Sequence, residues 1–316
     1  MGKYFALMHV HCVTAELVRR PVNFMIHHTG LNRNPLEHIM PWIAPMLSSG
    51  LGNRLFQYAA AAGLAELWNM RLHFIIHACN EIHHGPISTV FRMFPHVPLS
   101  DSSENALVIK EPPNAYYDYI PYGDIPPPNV SFVVDGFRQS PLYFPKELKL
   151  LVPDWDSALG GPLVRELIEK KAFLQNLEER KRTISIHIRL GDYVGLAKHQ
   201  VDLGKYYFEA LQKVAPGQRL HLFSDEPMKC AALFHKYCTS RGIHFSVATL
   251  HSDVESLYEM SLCLGGNIVA NSTFSWWGAW YAHHNGSPWA TYPSNWGKGQ
   301  PEPTDLFPEW ATVISV

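Results

Sequence analysis

The chain has 316 residues, 47% of them hydrophobic and 17% charged, which is enough apolar material for one large domain or two medium ones and too little charge for a disordered chain. A formal net charge of -2 excludes a global field that would draw nucleic acid or an anionic membrane, so a phosphorylated ligand has to be gripped by local groups. Five cysteines, odd in number and without a C-x-x-C pair, argue against a disulfide framework or a zinc ribbon, and no apolar run reaches the ~18–20 residues that span a bilayer. The chain as given therefore reads as soluble and cytoplasmic, with a Golgi-type anchor ahead of it left open.

Residues 1–40 carry helix-like spacing at Phe5, Met8 and Val13, then a polar stretch from His27 to Pro35, and read as an N-terminal extension. Trp42 to Leu47 reads as a short strand, weakened by Pro45. Ser48 to Asn53 then leads into an alanine-rich segment ending at Leu67. Leu55, Ala59, Ala62 and Ala65 recur there at helical spacing, with Asn53 as the expected N-cap. Arg71 to Ile76 returns as a strand. Residues 80–130 are loop-rich, and Val130 to Val134 is a β run ending at Asp135-Gly136. Pro, Asp, Ser and Gly cluster between Pro153 and Gly161, which sets a boundary between a domain at 41–160 and a domain at 161–316. Leu163 to Lys181 predicts one amphipathic helix. Beyond it, strands at 183–189, 220–224, 243–247, 267–270 and 289–292 alternate with helices at 206–214, 229–237, 254–262 and 273–283. That alternation predicts an α/β fold with a parallel sheet covered by helices.

In open α/β sheets ligands bind beyond the carboxyl ends of the strands. Three of those ends are polar: Arg189-Leu-Gly-Asp192-Tyr193, Ser224-Asp225-Glu226 and Asn271-Ser272-Thr273. Arg189 offers a fixed fork of donors for phosphate oxygens. Ser272, Thr273 and Ser275 sit at a helix start, where free N–H groups and the positive dipole end favour an anion. Asp225 offers two acceptors that suit the N–H edge of a guanine. Each residue has a structural alternative: a surface ion pair for Arg189, a helix cap for Asp225 or Thr273, core packing for Trp276, Trp277 and Trp280. The combination points to a nucleoside diphosphate.

Three blocks resemble the family-11 fucosyltransferases: Gly50-Leu-Gly-Asn53-Arg-Leu-Phe-Gln-Tyr58, His187-Ile-Arg189-Leu-Gly-Asp192-Tyr193, and Ala270-Asn-Ser-Thr-Phe-Ser-Trp-Trp-Gly-Ala-Trp280. Two weaker matches, Gly136-Phe-Arg-Gln-Ser140 and Phe223-Ser-Asp225, lie in order between them. The resemblance implies a GT-B-like architecture, two Rossmann-like domains facing across a cleft. It also implies inverting transfer of L-fucose from GDP-β-L-fucose to the 2-hydroxyl of a galactose on a glycan acceptor. The domain at 41–160 would be the acceptor side and the domain at 161–316 would bind the donor. Arg189 would hold the β-phosphate, His187 and Asp225 would lie near the guanine, and Ser224 would be among the donor-binding residues. Ser272, Thr273 and Ser275 would line the phosphates, and Gly52 and Asn53 would approach from the other domain. Two positions depart from the family pattern: Leu190 stands where a second Arg is usual, and Arg54 where Gln is usual. A compensating phosphate contact by Arg54 is one reading of the pair.

The general base is open between Asp135 and Asp192, each of which follows a strand. Asp154-Trp-Asp156, the one D-x-D, lies at the presumed boundary and reads as a turn, so no metal and no cofactor beyond the donor substrate is expected. His77, Cys79, His83 and His84 fit no standard zinc spacing. The sequon at Asn271 lies in the expected crevice, where a phosphate-binding turn is favoured. Rival readings are a transferase of another linkage or GDP-sugar, and a decayed transferase that binds GDP or glycan without turnover, for which Leu190 is the flag.

Overall fold

The computed structural model describes residues 40–76, 85–100, 105–124, 129–191, 195, 200–249, 252–300 and 302–316. The extension expected over 1–40 lies outside them except for Met40, as do His77, Cys79, His83, His84 and Asp192.

The first half opens with β1 (Trp42–Pro45), α1 (Leu51–Leu67), β2 (Arg71–Leu72) and β3 (Phe74–Ile75). It continues with α2 (Ser88–Met93), β4 (Leu99–Ser100), β5 (Leu107–Lys110) and β6 (Phe132–Asp135). Strands β2-β1-β6-β5 form a parallel sheet in that order, and β3 pairs with β4 in a separate small one. Three short helices, α3 (Trp155–Ala158), α4 (Pro162–Glu169) and α5 (Leu177–Arg182), lead into the second half. There β7 (Thr183–Ile188), α6 (Gly204–Leu211), β8 (Arg219–Ser224), α7 (Pro227–Arg241), β9 (His244–Val247) and α8 (Asp253–Ser261) follow in turn. The chain ends with β10 (Gly266–Ile268), α9 (Thr273–His284), β11 (Ala290–Pro293) and β12 (Thr312–Ile314).

The second sheet runs β12-β11-β10-β7-β8-β9, all parallel. This is the doubly wound order, with its reversal between β7 and β10. In the first sheet the corresponding reversal lies between β1 and β6. The fold is thus GT-B-like: two Rossmann-like sheets, each with a switch point where loops separate and leave a crevice.

A single aromatic core joins the halves. Trp276 and Trp277 on α9 are almost wholly buried. Phe56 of α1 lies 4.6 Å from Trp276 and 5.2 Å from Trp277, and Phe144 stacks on Trp277 at 5.2 Å. The alanines of α1 are what let it sit this deep: Ala59 to Ala62 have no accessible surface to speak of and keep the helix thin. At its N-terminal end α1 runs against the start of α9. A Cβ on Gly52 would collide with the backbone of Thr273 and Phe274, so only glycine permits that approach.

Several sequence expectations are corrected. α1 begins at Leu51 with Gly50 as N-cap, so Asn53 is inside the helix and its side chain is released for other work. The single helix expected over 163–181 is broken into α4, a 3-10 turn at Ala172–Leu174 and α5, because Asn176 caps α5 by accepting from Glu179 N (2.9 Å). The strand expected at 71–76 divides at His73 between two sheets. The loop-rich stretch holds α2, β4 and β5, and β12 was not expected. Among the described residues no helix is long and apolar enough to cross a membrane.

Beneath the second sheet lies a buried polar knot. Glu259 of α8 receives Lys171 Nζ at 2.8 and 2.9 Å and lies 3.0 Å from His221 Nε2 of β8. Burial pushes the His221 ring below its usual value despite the carboxylate, so it is neutral and its proton belongs on Nε2, with Nδ1 accepting from Ser246 (2.8 Å). Burial alone would raise the Glu259 carboxyl, but His221 and Lys171 outweigh it and hold the group below the ordinary 4.5. Both shifts disfavour proton uptake in the folded state, so their stabilisation is present at neutral pH and lost on acidification. The loss begins below the ordinary His value of 6.5 and continues below 4.5.

Lys171→Met, which strands the buried carboxylate, is expected to cost about 3 kcal/mol in urea unfolding at pH 7. Its stability should also fall less steeply between neutral pH and pH 4 than that of the wild type. Gly52→Ala should cost about 1–3 kcal/mol by forcing α1 off α9; an unchanged unfolding midpoint would refute the close approach.

Candidate functional site

The two switch points open onto one cleft of about 1140 Å³. From the first sheet it receives the segment after β1, Ser49 to Arg54, and residues Phe137 and Gln139 after β6. From the second it receives His187 and Arg189 after β7, Ser224 and Asp225 after β8, and Asn271 to Phe274 after β10.

Asn53 is the centre of the junction. Its Oδ1 accepts from Gln139 Nε2 (2.8 Å) and Thr273 Oγ1 (2.9 Å), and its Nδ2 donates to Ser49 Oγ (3.0 Å). One turn along α1, Gln57 clamps the same loop: its Oε1 accepts from Ser48 N (2.8 Å) and its Nε2 donates to Ser48 Oγ (3.0 Å). The four-residue spacing of Asn53 and Gln57 places both amides on the face that looks back at this turn.

The start of α1 has no side-chain cap and no acid in its first turn, and the start of α9 is the same. Two positive helix ends meet at the Gly52–Thr273 contact, and an anion in the cleft relieves their repulsion. Arg189 adds a full charge. Asp225 fixes it, with Oδ2 3.2 Å from Arg189 Nε and Oδ1 accepting from Leu190 N (2.9 Å). Gly191 leaves room for that carboxylate, since a Cβ would lie 2.5 Å from Asp225 Oδ2 and push it aside. The carboxylate expected to face a guanine is thus already committed to shaping the arginine loop, with only its remaining lone pairs left over.

His187 is 4% exposed. Burial first, and Arg189 second, push its ring down to about 3, so it is neutral at any working pH. Its Nδ1 has no hydrogen-bond partner among the described residues although the ring borders the cleft. An orphaned buried nitrogen of this kind is expensive unless a ligand completes it. Ser224 Oγ accepts from Glu226 N (3.0 Å) and shapes its own turn.

Gly52, Asn53, His187, Arg189, Ser224, Asp225, Ser272 and Thr273 therefore converge. Ser275 does not reach the cleft. It is buried, with its Oγ accepting from Ala270 N (3.2 Å) and donating to Ser272 O (3.3 Å), so it braces the turn before α9. Asp135 is half-buried at the end of β6 but does not line the cleft. Arg54 is buried and donates to the carbonyls of Pro86 (3.1 Å) and Gly85 (3.0 Å), which replaces the idea of a compensating phosphate contact with that of a loop anchor. Leu190 packs against the core of the second sheet. Asp154 caps α3 and Asp156 pairs with Arg165 at 3.2 Å, so the D-x-D is used in folding the boundary. Asn271 is 4% exposed, which removes its sequon from the surface.

Gln139 and Glu111 were missed. Glu111 holds the β6 loop by accepting from Phe137 N (2.9 Å) and Arg138 N (2.7 Å). Gly136, at φ +134°, was the available signal that this loop turns sharply toward something.

Residues 163–310 match the family described as Glycosyl transferase family 11. A stretch of 109 residues is 34% identical to the O-antigen biosynthesis glycosyltransferase WbnK of Escherichia coli, covering 32% of this chain and 35% of that protein, so the chain matches about a third of that relative's length. A longer stretch of 278 residues is 24% identical to an alpha-1,2-colitosyltransferase of Escherichia coli, covering 78% of this chain and 89% of the relative. Among solved structures, the fucosyltransferase NodZ from Bradyrhizobium is similar with a TM-score of 0.44 at 14% identity, over 76% of this chain and 92% of that one. POFUT1 in complex with GDP-fucose is similar with a TM-score of 0.42 at 14% identity, over 87% and 98%. The match at 163–310 holds the β7 to α9 wall of the cleft, so the second half of the chain is similar to glycosyl transferase family 11.

Proposed function

We propose that this glycosyltransferase moves L-fucose from GDP-β-L-fucose to the 2-hydroxyl of a galactose on a glycan, with inversion and without a metal. The observation that carries this reading is the meeting of two uncapped helix N-termini and Arg189 at facing switch points, a built receptor for a diphosphate. The motif resemblance supplies the sugar. The alpha-1,2 linkage rests on the motifs and on the name of the Escherichia coli colitosyltransferase.

In this reading the pyrophosphate lies between the starts of α1 and α9, against Gly52, Asn53, Ser272 and Thr273. Arg189, held rigid by Asp225, faces the bridging oxygen that gains charge as the anomeric bond breaks. Preorganised donors of this kind lower the barrier because they need no reorientation at the moment of reaction. They do the work that a divalent cation does in other transferases. The neutral His187 offers its unpartnered Nδ1 to the nucleotide. The acceptor hydroxyl attacks from the first-sheet side, and Asp192 is the proposed base; Asp135 is set aside by its place off the cleft.

A second donor is favoured by one observation, the colitosyltransferase that aligns with 78% of the chain. Colitose lacks the 3-hydroxyl of fucose, so GDP-colitose would fit the same diphosphate receptor. The name of WbnK likewise points to a bacterial surface polysaccharide as one acceptor class.

A mass-spectrometric transfer assay with each donor and a panel of β-galactosides, run in chelator, tests the reading. The expected product carries one added deoxyhexose that an alpha-1,2-specific fucosidase removes. Arg189→Ala should lower turnover by about 100-fold or more. GDP binding without turnover on any acceptor would favour the decayed-transferase alternative, and activity that disappears in chelator would overturn metal independence. Leu190→Arg should bring no tighter GDP binding, because position 190 packs into the core and does not border the cleft; a gain of about tenfold would mean that a phosphate donor is missing.

A further inference from the structure

The cleft has two chemically different walls. Arg189 and the carboxylates of Asp225 and Asp253 stand on the second-sheet side, and on the first-sheet side a pair of rings stands beyond the start of α1. Phe137 and Tyr116 border the cleft, both half-buried, with ring centroids 5.6 Å apart at 76°. Neither ring is left to loop flexibility. Phe137 N and Arg138 N are held by Glu111, Gln139 N donates to Tyr116 O (2.9 Å), and a Cβ on Gly136 would run into the Glu111 side chain. Two residues beyond Phe137, Gln139 reaches Asn53 at the junction of the helix ends. The loop that carries Phe137 is thus tied through Gln139 to the junction of the helix ends.

A rigid aromatic corner beside a diphosphate receptor has a specific chemical use. Galactose carries an axial 4-hydroxyl, which leaves the C–H groups at C3, C4 and C5 exposed together on one face. That face is apolar and packs on an aromatic ring, while the hydroxyls at its edge remain free to react. We propose that Tyr116 and Phe137 form the platform for the acceptor, a terminal β-galactoside, and that Glu111 is the positioning residue that holds the platform against the donor site. This rests on the reading that a sugar is transferred within this cleft. A nucleobase is the other flat ligand that could use the rings. The orphaned Nδ1 of His187 places the polar group that meets a base on the opposite wall.

The test measures two affinities in the wild type and in Tyr116→Ala, Phe137→Ala and Phe137→Tyr. Lactose binding is followed by saturation-transfer NMR with GDP present, and GDP binding by calorimetry. Each alanine variant should weaken lactose about tenfold or more, Phe137→Tyr should restore it, and GDP affinity should stay unchanged throughout, which also reports that the variants are folded. Alanine variants that bind lactose like the wild type would overturn the platform. So would variants that lose GDP and keep lactose, since the rings would then belong to the nucleobase. A wild type that binds GDP but no lactose would remove the galactoside while leaving the donor site standing, whereas a wild type that binds no GDP would sink the transferase reading itself.

Discussion

The structure depends on one close approach: the start of α1 lying against the start of α9 with a glycine between them. Everything that faces the cleft follows from it. Gly52 brings the backbones together, and Asn53, the next residue, then stands where a single amide can accept from both Thr273 and Gln139. The aromatic core behind the contact, Phe56 against Trp276 and Trp277, keeps the two helices from sliding. A side chain at position 52 would separate the helix ends, and with them the two switch points that make one site from two sheets.

The approach has an electrostatic cost that explains the rest of the site. Two helix N-termini of like partial charge are pressed together, and neither carries the side-chain cap or first-turn acid that normally quiets such an end. Elsewhere the chain does use those devices. α8, one element away, begins with a full capping box at Ser252 and Glu255 and has acids in its first turn. The contrast within one molecule marks the α1 and α9 ends as reserved for an anion. Asp225 pairs with Arg189 and caps neither helix end, which leaves both ends uncapped by side chains.

Five of the six strands of the second sheet could be read in the sequence, because β7, β8, β10 and β11 are buried β runs and helical spacing separates β9 from its neighbours; the exposed edge strand β12 carries no such pattern. Arg189 and Thr273 could be placed at one crevice from the strand-end rule alone. The first half was harder for physical reasons. Its strands β2, β3 and β4 are two residues long, too short to show any period, and α2 lies among prolines. Asn53 has the residue type of a helix cap, which is what its place before the alanine run suggests. The spacing to Gln57 was the better signal, since two amides one turn apart both reach the preceding loop. Glu111 left no local mark at all: its partners lie 26 and 27 residues away, and only the fold joins them.

The two departures from the family pattern find a common account in where their side chains point. Leu190 turns into the core of the second sheet and leaves its backbone N–H to Asp225, so the loop keeps its shape without a second arginine. Arg54, at the edge of the cleft, gives two of its donors to the carbonyls of Gly85 and Pro86. One substitution removes a charge from the donor side, and the other fixes a loop on the side where the aromatic corner stands. In the proposed reading, diphosphate recognition relies on a single arginine and on backbone dipoles. That places more weight on the geometry of the α1–α9 contact than a site with two arginines would, because helix-end dipoles act only within about the first turn.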